Sequence, residues 1–204
     1  MPYLLYSGKR VSPISDLDDY WQDEWGSIYD ARNALYEGRK QDPKTAPRFG
    51  ESFNSLDTLP ALLPTPCWFC TDEFKELVER FEPGRHAFLP YIIRDKKDHS
   101  KTVSYNLINI CDPIISIDIE RSGPDVITEF DRIRANGCRT IVLKILNLTL
   151  GKGDVFLKKD RILDRHFWMD SQLNTSGQLF ISDEFHREMI KLCDPKYLSI
   201  LKTQ

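Results

Sequence analysis

The order of apolar and polar positions repeats once along this chain. Trp68 to Phe81 reads WFCTDEFKELVERF and Leu179 to Leu192 reads LFISDEFHREMIKL, so both contain F-x-[ST]-D-E-F. In each, a short apolar run stops at a hydroxyl residue, Thr71 or Ser182, which can accept from the free N–H groups of a helix start. Two acids follow, where the positive end of the helix dipole favours them. Phe74, Leu77, Val78 and Phe81 then recur at i, i+3, i+4 and i+7, and Phe185, Met189 and Leu192 repeat the pattern less completely. Each unit is therefore predicted to be a strand feeding an amphipathic helix.

The rest of the pattern surrounds these units with strands. YLLY at 3–6, HAFLPYII at 86–93, TVSYNLINI at 102–110, IISIDI at 114–119 and RTIVLKILNLTL at 139–150 read as strands, and DVFLK as the start of a return. DRHFWMD at 164–170 reads as a strand or buried loop, and 195–201 as a terminal strand or short helix. VITEFDRIR at 126–134 has helical spacing and an Asn136-Gly137 stop, which predicts a short helix. Strands joined by short links favour antiparallel pairing, because parallel crossovers need a dozen or more residues. Between Ser15 and Gly26, Leu17, Tyr20, Trp21 and Trp25 fall on or beside one helical stripe among acids. Glu37 to Pro66 carries five prolines and few periodic apolar positions, which predicts loop. The expected fold is a single α+β domain, a mainly antiparallel sheet flanked by a few helices. Residues 1–60 would be an N-terminal arm and proline-rich loop, and 61–204 the core.

Composition adds limits. The 204 residues are 41% hydrophobic and 29% charged, ordinary for a globule with a real core. No apolar run nears the roughly 20 residues that cross a bilayer, and the start lacks a signal-peptide pattern, so a cytoplasmic protein that does not enter membranes is expected. Five cysteines at irregular positions do not make a secreted disulfide framework; reduced, mostly buried thiols fit better. A net charge of -3 argues against nucleic-acid binding, which uses a basic face. From Met1 to Gly38 seven acids stand against three bases, so the acidity belongs to the arm.

Candidate chemistry is sparse. Cys67-Trp68-Phe69-Cys70 precedes a helix start, where a thiolate is stabilised, yet a proline-rich approach replaces the βα elements of a thioredoxin-like domain. Zinc needs a second close ligand pair, and none is present. His86, His99, His166 and His186 form no local metal or catalytic motif, and His186 reads as an exposed surface residue. Gly151-Lys152-Gly153 is too short for a phosphate loop. The paired acids Asp72-Glu73 and Asp183-Glu184 are explained by the helix dipole, unless the two units converge on a cation site. No catalytic residue, metal or cofactor is expected. The competing reading is a small hydrolase or thiol-redox enzyme using Cys67, Cys70, His166 or the paired acids.

Five pieces in order carry a family resemblance. They are W-x-C-T-x-x-F-x-x-x-V at Trp68–Val78, H-x-F-L-P at His86–Pro90, Y-x-L-x-N-I at Tyr105–Ile110, I-D-x-x-x-S at Ile117–Ser122 and F-x-S-D-x-F at Phe180–Phe185. Over residues 66–201 the chain resembles a bacterial family of immunity proteins from polymorphic-toxin systems. That resemblance implies a cytosolic antidote that binds and neutralises a cognate toxin without catalysis. It assigns no binding residues. An acidic surface speeds capture of a basic partner such as a nuclease or membrane-active toxin. Asp18, Asp19, Asp23 and Glu24 are thus expected to steer the toxin, with Tyr20, Trp21 or Trp25 as aromatic anchors.

Overall fold

In a computed structural model, the residues described are 1–7, 35, 37–44, 46, 48–52, 54–64, 67–123, 126–133, 139–146, 155–173, 178–194 and 198–204. The expected α+β architecture is present. One sheet holds β1 (Tyr3–Ser7), β9 (Phe167–Trp168), β10 (Gln178–Ile181) and β11 (Leu198–Lys202) in the order β11-β1-β10-β9, all antiparallel. A second holds β2 (Phe49–Ser52), β3 (Leu62–Pro64), β4 (Trp68–Cys70), β5 (Ala87–Asp95) and β6 (Thr102–Asn109) in the order β2-β5-β6-β4-β3. Only β2 with β5 is parallel there. The α-helices whose full extent lies among the described residues are α1 (Asp72–Phe81), α2 (Ile119–Ser122) and α3 (Asp183–Met189).

The apolar runs at 67–70 and 179–181 follow from burial on both faces, which removes the usual alternation with polar residues. Cys67 and Phe69 join a cluster with Tyr91, Ile93 and Leu107 on one side of the five-stranded sheet. Trp68 and Cys70 point the other way. In the four-stranded sheet, Leu4, Trp168 and Phe180 meet Ile117 and Leu157, while Leu5, Phe167, Leu179 and Ile181 face inward. A central cluster joins the inner sides of both sheets to Phe74, Leu77 and Val78 of α1 and Phe185 and Met189 of α3. Both predicted strand-helix units thus contribute to one core.

Four local expectations are corrected. The helix expected over 126–134 is replaced at 127–133 by a strand: β7 (Ile127–Ile133) pairs antiparallel with β8 (Arg139–Leu146). A pairing partner and the β-branched Ile127, Thr128 and Ile133 outweigh helical spacing. The segment 114–119 is not a strand but two isolated bridges running into α2. Asp170 captures the N–H groups of Ser116 and Ile117 there, and Asp118 then caps α2 by accepting from Arg121 N–H. The proline-rich stretch contains β2, β3 and a 3-10 turn at Leu56–Thr58; Pro64 is tolerated because β3 is an edge strand. Thr71 is the N-cap residue of α1, but its side chain makes no cap hydrogen bond.

β1 is a central strand of its sheet, and residues 38–41 pack against the end of β6 and the turn after it. Gly38, at φ +66, lies so close to Pro113 that a Cβ would sit 2.4 Å from its Cδ. Gln41 N–H donates to the buried Asn109 Oδ1 at 2.6 Å.

Candidate partner-binding surface

The residues expected to bind a partner, Asp18, Asp19, Tyr20, Trp21, Asp23, Glu24 and Trp25, lie outside the described residues. Of the groups offered by sequence for chemistry, Cys138 and Gly151 to Gly153 also lie outside the described residues, and Cys67, Cys70, His86 and His166 are engaged within the fold. Cys67 and Cys70 are buried on opposite faces of one sheet, so they do not act as a pair. Burial pushes the Cys70 thiol far above its ordinary value and that of Cys193 up to about 12. Neither suits a nucleophile, which needs a depressed pKa. Among the described residues, no three His, Cys, Asp or Glu side chains gather as metal ligands. Asp72 accepts from Asn106 Nδ2 at 2.8 Å, and Asp183 accepts from the Tyr3 hydroxyl at 3.2 Å, so the paired helix starts serve separate contacts.

Two buried carboxylates were not singled out by sequence. Glu82, the C-cap of α1, accepts at Oε1 from the backbone N–H groups of His166 (2.5 Å) and Phe167 (2.9 Å). His86 Nδ1 accepts from Cys111 N–H, so its Nε2 carries the proton and donates toward Glu82 Oε2 and the Phe167 carbonyl, each at 3.0 Å. Burial alone would raise the Glu82 carboxyl; hydrogen bonds from His86 and the two backbone N–H groups outweigh it and hold the value below the ordinary glutamate range. Asp170 accepts from Ser116 N–H and Oγ–H, Ile117 N–H and Gln172 N–H at 2.7–2.8 Å. His166 Nδ1 lies 2.9 Å from Ser182 Oγ, but that oxygen already accepts from Phe185 N–H as the cap of α3. Sequence offered one signal for Glu82: its position between a helix end and the H-x-F-L-P piece.

His186 is half-buried rather than exposed, its ring stacked on Tyr3 at a centroid separation of 4.0 Å. This contact holds the first strand against α3, and burial lowers the imidazole pKa. Beside it, α1 and α3 pack through Phe74, Phe81 and Phe185, whose rings lie 5.3–6.0 Å apart. An open groove of about 710 Å³ follows the seam, lined by Arg80, Phe81, Glu184, Arg187, Glu188 and Lys191. Lys191 Nζ lies 2.7 Å from Glu188, whereas Arg80 reaches Glu188 only at 3.5 Å and Arg187 reaches Asp183 only at 4.0 Å.

The sequence profile of the Immunity protein family (Imm11) matches residues 11–196. The chain belongs to this family. No curated protein matches the chain. In this Imm11 protein the match extends upstream of residue 66, where the sequence resemblance began, and takes in the acidic arm. No helix among the described residues is long and apolar enough to cross a membrane.

Proposed function

We propose that the protein is a cytoplasmic immunity protein of a polymorphic-toxin system, which binds a cognate toxin and holds it inactive by protein-protein contact, without catalysis. Membership of the Immunity protein family carries this reading. It is supported by the use of Glu82, His86, Asp170 and Ser182 as acceptors and caps inside the fold, and by sealed, weakly acidic thiols. A protein that acts by affinity needs only a stable scaffold and a complementary surface.

Within this reading the arm makes first contact. Asp18, Asp19, Asp23 and Glu24 attract a basic toxin, and Tyr20, Trp21 or Trp25 anchors it, aromatic residues being enriched at binding hot spots. Association kinetics with the toxic domain encoded beside this chain test both parts. The wild-type protein should bind tightly; absence of binding would contradict the immunity reading. Replacing the four acids with lysine should slow association by about tenfold at low salt and reduce its salt dependence. An unchanged on-rate would remove the arm from the steering role.

A further inference from the structure

The two ring nitrogens of His86 respond to a proton in opposite ways. Nε2–H donates toward Glu82 Oε2 and the Phe167 carbonyl, each at 3.0 Å, and Nδ1 accepts from Cys111 N–H at 3.2 Å. On the Nε2 side a positive ring is favoured, because a carboxylate binds a charged donor more strongly than a neutral one. The Glu82 carboxyl, held below the ordinary glutamate range, keeps its charge while histidines titrate. On the Nδ1 side an added proton meets the Cys111 N–H, donor against donor, and both lose their partner. The His86 side chain is 0% exposed, so water does not reach Nδ1 while the turn stays in place. The conflict is relieved by movement of Cys111.

The other charges nearby leave this asymmetry in place. Arg85 Nη1 stands 3.5 Å from Glu82 Oε2, but the same guanidinium also faces Asp164 at 3.6 Å. From β9 the ring of His166 turns to Ser182 Oγ, and the Phe167 ring packs on His86 edge-on with centroids 5.6 Å apart. In the turn, Asp112 is paired with Arg165 at 2.6 Å, and Lys40 and Asp112 exert opposite effects on the Cys111 thiol. The segment set to move is short. Ile110–Pro113 links the end of β6 to the bridge at Ile114. Within it Asp112 has φ +58, a left-handed conformation that costs an L side chain energy. The turn is held by the Cys111 bond, by the Arg165 pair on the surface and by Gly38, which lies against Pro113. The first of these is the one that a proton on His86 removes.

We infer that His86 is a proton-operated latch: a proton gained at Nδ1 breaks the bond to Cys111 N–H, frees the turn Ile110–Pro113 and loosens the hold of the core on residues 38–41. Those residues depend on the turn at both ends. Gly38 lies against Pro113, and Gln41 N–H donates to Asn109 Oδ1, two residues before Cys111. Glu82 keeps the charged ring in place, so the opening is local and the contacts of Glu82 with β9 persist. The latch belongs to this chain alone and works whatever the protein binds.

The test is NMR of the isotope-labelled full chain as pH is lowered from about 8 to about 5, the range in which histidine changes charge. The ring nitrogens of His86 report its protonation, and amide hydrogen exchange, corrected for the intrinsic effect of pH, reports protection. Protection of the Cys111 and Gln41 amides should fall at least about tenfold as the His86 ring charges. The Phe167 amide, bound to Glu82, and the Ile92 amide, bound to the Arg48 carbonyl, should keep theirs. His86→Asn places a carboxamide oxygen where Nδ1 accepts and does not titrate, so Cys111 protection in that variant should be flat over the same range. Should the variant fail to fold, the wild-type profile decides alone. Constant Cys111 protection while the His86 ring charges would overturn the latch, as would a ring that stays neutral down to acid unfolding. Loss of Cys111 and Phe167 protection together would also overturn it, since the change would then be a general loosening.

Discussion

Glu82 shows how a single residue can join three parts of the chain. It ends α1, receives the N–H groups that lead into β9 and orients His86 at the start of β5, with its side chain 1% exposed. Removing one partner of such a buried pair leaves the other without compensation. Glu82→Gln should therefore destabilise the protein by roughly 3 kcal/mol at neutral pH, measured by denaturant unfolding. Because the folded carboxyl lies below the ordinary glutamate value of 4.5, its contribution is fully present above that value and fades as pH falls through the folded pKa. The gap between wild type and Glu82→Gln should accordingly narrow in acid. A gap independent of pH down to the onset of acid unfolding would contradict this account. Beyond the place of Glu82 at a helix end, the sequence did not mark Glu82 or Asp170, because their partners are mostly backbone N–H groups far along the chain, and such donors leave no compositional trace.

At the scale of elements, the two F-x-[ST]-D-E-F units form the predicted strand-helix pairs but start their helices differently. Ser182 accepts from Phe185 N–H, whereas the Thr71 hydroxyl is buried with no hydrogen-bond partner among the described residues. Ser182→Ala should cost about 1 kcal/mol through loss of the cap. Thr71→Val should be close to neutral, since it removes a buried oxygen that lacks a partner at nearly constant volume. Parallel thermal unfolding of the two variants checks the contrast; equal losses would mean that both hydroxyls cap. These units were legible because cap, dipole and apolar stripe are all local signals. The failures were non-local. Residues 127–133 extend because β8 lies beside them, and 114–119 bend because Asp170 draws off their N–H groups. The parallel pairing of β2 with β5 was equally hidden inside a proline-rich stretch.

At the scale of the molecule, sheets buried on both faces explain why an acidic chain carries such continuous apolar runs, and why Cys67 and Cys70 are internal. The α+β class was legible from strand count and short links. The division into two sheets with helices packed on a shared core was not, since strand order depends on contacts distant in sequence. The family was legible from five short pieces in order, but the groove was not: Arg80 and Arg187 are more than 100 residues apart in sequence and meet only because Phe74 and Phe81 pack on Phe185. The central claim is that this chain neutralises a toxin by occupying it rather than by altering it. Titrating a fixed amount of the toxic domain with the purified protein and following toxin activity separates the two. Binding predicts inhibition that is complete as soon as mixing ends, grows in proportion to added protein and levels off at a fixed stoichiometric ratio. Full neutralisation by a small fraction of that amount, deepening with time, would mean turnover and would contradict the account.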